Sequence, residues 1–422
     1  MKFSASFAAL SALASSMLAS AAPLRARQVV QSASFTNGAA YFISNEPSGN
    51  YIVAADIASD GRLFISKAYA TGGRGQHGDD GGPVGADPLF SQGAIKANIQ
   101  AGLIAAANPG SNSVSLFKIN PDQPTELTLF GMPISSGGEF PMSVAFNDAG
   151  DRLCVLNGGA INGVQCFTMD PDFGLMPASN SMRSLGMNQT TPPLGPGGTA
   201  SQIIFSEDQK SVIVAVKGTS KDVPGFLATW DMNDDGSLSS TFTRIEVPEG
   251  GAAPFSLTPI PGRNGILSAD FQVGVDIFDF SNGAAMVTAS NKTVSMPIAN
   301  QSAVCWSAWS PKTDSFYVTD TVNGIISELA VSDDLTPSLL TQYTFPQFTQ
   351  VLDLEVASLP DNDFLYTLMP GAMSVQVMSL NAPGQAQAMQ TLDLSAPAQA
   401  IGLPINGTNV SGMTVYVKPQ VQ

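Results

Sequence analysis

Four side chains of this 422-residue sequence have types suited to acid–base or carboxylate chemistry. His77 is the only histidine, and therefore the only imidazole that could move protons near neutral pH. It lies in Gly72-Gly73-Arg74-Gly75-Gln76-His77-Gly78-Asp79-Asp80-Gly81-Gly82, a stretch too rich in glycine for regular structure. Loops of that length tend to carry function, and Arg74 in the same loop offers a planar fork for a carboxylate. Glu139, in Gly137-Gly138-Glu139-Phe140-Pro141, is placed to act as a general acid or base. Lys217, in Val216-Lys217-Gly218-Thr219, suits polarising a carbonyl or holding a carboxylate. The expected set is His77, Glu139 and Lys217 for catalysis, with Arg74 for binding. Each has a plainer alternative: a solvated imidazole, a turn-capping carboxylate, an ion-paired ammonium.

Other chemistries are disfavoured. The glycines around His77 lack the strand and helix context of a phosphate loop. No Gly-x-Ser-x-Gly elbow exists, and one histidine would have to serve any serine triad.

These residues must be held by short strands. No long amphipathic helical pattern is present beyond the amino-terminal segment; periodic runs are short, β-branched or aromatic, and closed by Gly, Asp, Asn or Pro. A unit recurs with a period of about fifty residues, starting near residues 35, 89, 139, 198, 252, 302 and 350. Pro141-Met142-Ser143-Val144-Ala145-Phe146 followed by Arg152-Leu153-Cys154-Val155-Leu156-Asn157 is one clear copy; Ser201 to Ser206 followed by Ser211 to Lys217 is another. Seven units of four strands predict an all-β, seven-bladed β-propeller with four antiparallel strands per blade. Residues 28–422 read as this single domain, closed by residues 395–418 returning to the first blade; the sequence leaves open which strand they supply. The last residues of the second strands are Asn45, Asn108, Asn157, Lys217, Asp270, Asp320 and Met369. Six are polar, which predicts a substrate-binding ring at the channel mouth; the alternative is that Asn and Asp serve the turn that follows.

Composition excludes several partners. Lys+Arg number 18 against 34 Asp+Glu, for a formal charge of −16. Nucleic acid and anionic membranes require clustered cations. One His and three Cys exclude a multi-histidine zinc site and an iron–sulfur centre. A calcium site from Asn45, Asn108, Asp270 and Asp320 is chemically conceivable, but no spacing selects it; no cofactor and no metal are expected.

Residues 1–21 read as a secretory signal, with Lys2 as the charged region, an apolar run to Leu18 and Ala19-Ser20-Ala21 as the cleavage site. Residues 22–27, with Arg25 and Arg27, suit a short pro-segment. Removing 1–27 takes away three cations and no acid, so the balance becomes −19. Glycosylation sequons at Asn188, Asn291, Asn300, Asn406 and Asn409 agree with export. The expected product is a monomer, secreted or held at a cell wall, without a membrane span. Cys154 and Cys166 lie in two strand-like runs about a turn centred on residue 160, which sets them opposite as either a cross-strand bridge or two buried thiols. Cys305 then reads as a packed core residue.

The chain resembles the secreted branch of the seven-bladed lactonase-like propellers, which include 6-phosphogluconolactonase-type enzymes and fungal 3-carboxymuconate cyclases. The resemblance covers nearly all of residues 35–418. It is carried by Thr71-Gly72-Gly73-Arg74-Gly75, Ser91-Gln92-Gly93-Ala94-Ile95, Asn108-Pro109-Gly110-Ser111-Asn112, Ser136-Gly137-Gly138-Glu139-Phe140-Pro141, Val216-Lys217-Gly218-Thr219 and Ala303-Val304-Cys305-Trp306. It implies opening or closing of a small carboxylated lactone, with Arg74 or Lys217 on the carboxylate and His77 or Glu139 moving the proton. Fungal members are also met as surface glycoproteins and antigens, so a non-catalytic extracellular module that binds a cell-surface or extracellular ligand is the alternative expectation.

Overall fold

The computed structural model describes residues 36–419. The expected signal peptide and pro-segment lie outside the described residues. Seven antiparallel sheets are arranged as blades of a propeller. Blades 2 to 7 run in chain order from innermost to outermost strand, and their inner strands are Ile95–Asn98, Pro141–Phe146, Ala200–Phe205, Pro254–Ile260, Val304–Ser310 and Leu354–Ser358.

The first blade is built differently. Thr36–Ile43 is its second strand, followed by Tyr51–Ala58 and Leu63–Ala70, and the inner strand is Ser411–Val417 from the other end of the chain. That inner strand packs between those of blades 7 and 2, which closes the ring. The repeat beginning near residue 35 therefore starts one strand late, and residues 395–418 supply the innermost strand after about two turns of helix at Ser395–Ile401. Closure by chain ends gives the first blade its fourth strand, and the innermost strand of every blade is the edge that faces the axis.

Burial explains the strand sequences. Second strands are covered on both faces by neighbouring blades, so Leu103–Asn108 is buried throughout and reads as a continuous apolar run instead of an alternating one. Outer strands face solvent on one side, and Pro337–Thr344 is polar and largely exposed. The core consists of layers between blades: Leu103, Ala105 and Ala107 of blade 2 lie in one cluster with Leu153, Val155 and Phe167 of blade 3.

The same irregularity recurs at the head of four inner strands. The ladder with the second strand slips between Pro141 and Ser143, Ala200 and Gln202, Pro254 and Ser256, and Val304 and Ser307. Met142, Ser201, Phe255 and the pair Cys305-Trp306 are thereby left out of the ladder, as β-bulges allow. Cys154 and Cys166 face each other on adjacent strands with Cα atoms 4.0 Å apart and form the disulfide. Cys305 is a buried free thiol. Among the described residues, no helix is long and apolar enough to cross a membrane.

Candidate functional site

Two interblade connections meet over one mouth of the channel. The loop leading into blade 2 (residues 71–93) pairs with the loop leading into blade 4 (residues 187–199): Asp79 N–H donates to Pro193 O at 2.8 Å and Gly195 N–H to Asp79 O at 2.9 Å. Phe90 lies between them, 1% exposed, with a φ of 55°. Gly78 and Gly195 press on its ring so closely that a Cβ at either would come within 2.3 and 2.5 Å of it. The glycines of the His77 loop thus admit a buried aromatic that plugs the mouth.

His77 and Lys217 both bear on this plug. The imidazole meets the Phe90 ring edge-on at 6.4 Å, and its two nitrogens face Gly78 O at 2.8 Å and Gly85 O at 3.1 Å. Either tautomer of the ring donates to one of these carbonyls. Lys217 is 2% exposed; its ammonium donates to Phe90 O and to Ala200 O and sits 4.5 Å from the centre of the Phe255 ring. Trp306 packs on Phe255 and donates through Nε1 to Ser91 O at 3.1 Å. The bulges at the strand heads are what place Phe255 and Trp306 there. Asp87, in the same loop, accepts from Phe90 N–H at 2.9 Å. Burial pushes the Lys217 ammonium down and the Asp87 carboxyl up, while their mutual attraction opposes both shifts. Burial likewise holds the Cys305 thiol well above its ordinary range, which makes it no nucleophile. With two bonds to backbone carbonyls and the Phe255 ring beside it, Lys217 acts here as an anchor of the loop.

The remaining predicted residues are not brought into this cluster. Arg74 is exposed, with Nη2 3.4 Å from Gly110 O. Glu139 accepts from the Thr191 hydroxyl. The predicted ring is buried and serves the interblade connections. Asn45 exchanges hydrogen bonds with the backbone of Gln76, and Asn108 accepts from Thr71 and Asn50 while donating to Ser115. Asn157 donates to Ser136 O. Asp270 accepts from the backbone N–H groups of Ala252, Ala253 and Gln272, and Asp320 from those of Ser302, Ala303, Val322 and Asn323. Asp276, beside Asp270, is fully buried with no donor on either oxygen, and desolvation followed by the Asp270 charge raises it well above the carboxylate range.

The other mouth is open. A cavity of ≈ 810 Å³ lies among the far ends of the inner strands. Its floor is polar: Gln92 donates to Ser307 O and accepts from Ser307 N–H, the Ser307 hydroxyl bonds Ser256 and Thr258, and Gln202 accepts from Leu257 N–H. Lys96 of blade 2 and Glu355 of blade 7 also line it and form an ion pair of 2.9 Å, each about one-quarter exposed. Asp353, two residues before Glu355 on the same strand face, is 2% exposed and has no donor on Oδ2. Burial pushes it up to about 8 against the pull of Lys96.

Sequence reasoning passed over Asp87, Lys96, Asp353 and Glu355. A signal was present: in Val351-Leu352-Asp353-Leu354-Glu355-Val356 the two acids alternate with apolar residues at the head of a blade's inner strand, so both face the axis. Nothing in the chain ties them to Lys96, 259 positions away. Among the described residues no three His, Cys, Asp or Glu side chains are grouped to hold a metal ion.

No family model matches the chain, and no curated protein sequence does. Solved structures are similar. A proposed 6-phosphogluconolactonase from Bacteroides fragilis matches with a TM-score of 0.60 at 11% identity, over 90% of this chain and 98% of that one. Another from Bacteroides uniformis gives 0.58 at 15%, over 85% and 98%. A protein of unknown function from Desulfotomaculum acetoxidans gives 0.58 at 11%, over 91% and 100%. At such identities the likeness establishes the shared propeller fold.

Proposed function

We propose that this protein is an exported lactonase-like propeller that takes a small, neutral, polyhydroxylated lactone in the open funnel. The observation that carries the reading is the contrast between the two mouths. On the closed side the imidazole and the ammonium lie against backbone carbonyls beneath two paired loops; on the open side a cavity of ≈ 810 Å³ has a mixed apolar and polar lining that includes one ion pair with a free carboxylate oxygen. That volume and polarity suit a sugar-sized ligand. The lining carries Lys96 against Asp148, Glu207 and Glu355. An excess of carboxylates disfavours phosphorylated or carboxylated ligands, so the neutral lactone is preferred over the carboxylated one that the sequence suggests.

Export is supported by the sequons. Asn188, Asn291, Asn300 and Asn406 are exposed and lie outside strands, and Asn409 is half-buried. Calorimetric titration with glucono-1,5-lactone and with its 6-phosphate tests the reading. Binding of the neutral lactone, weakened by Thr258→Trp, is expected. Absence of binding, or preference for the phosphate, overturns it.

A further inference from the structure

Lys96 and Glu355 are the charged pair that lines the funnel and bridges the two blades on either side of the closing blade. Glu355 Oε2 is held by Lys96, whereas Oε1 has only a 3.4 Å contact with Val356 N–H and is left to the cavity. Lys96 is flanked by a second carboxyl, Asp353, whose Oδ2 finds no donor although it is buried. Desolvation lowers Lys96, but Glu355 and then Asp353 outweigh it, so the ammonium is held above its ordinary range and stays charged. A fixed cation next to a carboxylate with one free oxygen, at the edge of a sugar-sized cavity, is the arrangement that lactone hydrolysis requires.

Resting on the funnel as the lactone site, we propose that Lys96 and Glu355 are the catalytic residues of a lactone hydrolase, with Asp353 positioning Lys96. Glu355 Oε1 takes a proton from a water as its oxygen bonds the lactone carbonyl carbon. The Lys96 ammonium stabilises the oxyanion. Collapse of the tetrahedral intermediate breaks the bond from that carbon to the ring oxygen, and Glu355 returns the proton to the departing oxygen. Lactone and water thus give one hydroxy acid, the carboxylate is regenerated, and no oxidant or further reactant is needed. The closed side contributes no group to these steps.

The test is hydrolysis of glucono-1,5-lactone by the full chain, corrected for the spontaneous rate, together with calorimetric binding of the non-hydrolysable glucono-1,5-lactam. Glu355→Gln and Lys96→Met are expected to lower kcat by at least about 100-fold with lactam affinity within about threefold. Asp353→Asn is expected to lower kcat by less than either of those variants and to move the alkaline limb of the pH profile to lower pH, because Lys96 loses one of the charges that raise it. The isosteric Glu355→Gln guards against loss of fold, checked by its melting curve. Lactam binding without wild-type turnover, or variants within about threefold of wild type, overturns the catalytic assignment and leaves the funnel reading standing. Failure to bind lactam overturns both.

Discussion

Replacing Phe90 by alanine should open the closed mouth without unfolding the propeller. The ring is buried between Gly78 and Gly195, with His77 at its edge. Truncating a buried Phe to Ala costs about 3–5 kcal/mol, transfer and cavity terms together. The left-handed backbone offers no compensation, because alanine meets the same steric penalty at a φ of 55°. The loss falls first on the two paired loops, which Lys217, Trp306 and Asn45 also tie to the blades. Native-state hydrogen exchange reads it directly. The amides of Gly78, Asp79 and Gly195, each bonded within or between the loops, should exchange about two to three and a half orders of magnitude faster. Ladder amides such as those of Gly274–Asp279 should be unchanged. Unaltered exchange at all three loop amides would refute the role given to Phe90; uniform acceleration across every blade would show that the plug is part of the global core.

Other outcomes follow from single groups. Unfolded without reductant, the chain should titrate one thiol, Cys305, and three after reduction. Replacing Cys154 and Cys166 by alanine should cost at most about 3 kcal/mol in urea unfolding, the chain-entropy value for a bridge spanning so few residues. Asp276→Asn should stabilise the protein, and increasingly so as pH rises above about 4, the ordinary aspartate value. The buried carboxyl is raised in the fold, so the native state binds more protons than the unfolded chain in that window and wild-type stability falls as pH rises. Melting temperatures of both proteins across that range check it, and a constant difference would contradict the shift. Peptide mapping after secretion from a eukaryotic host should find sugar at the exposed Asn188, Asn291, Asn300 and Asn406 and less at half-buried Asn409.

Much of the fold was legible because each blade is a local object. Hairpins between consecutive strands follow from turns and periodicity, and the midpoint at residue 160 sets Cys154 opposite Cys166, as found. The thiol pairing itself was undecided, since opposite positions fit both a bridge and two thiols. Polar residues at the ends of the second strands were visible too. Their part in holding the interblade connections was not, because Asn45 meets Gln76 and Asn108 meets Asn50 only after neighbouring blades have packed.

What the sequence by itself determined is the repeat, the seven blades and the identity of the scarce ionisable groups. Periodicity and composition are properties of the chain. What tertiary structure decided is which of those groups share an environment. Ring closure makes Ser411–Val417 the inner strand of the first blade, sets Lys96 against Glu355 over that closing blade, and buries Lys217 under a loop anchored 127 positions away. Distance through space and access to water fix the protonation and reach of a side chain, and in a ring both depend on residues far apart in sequence.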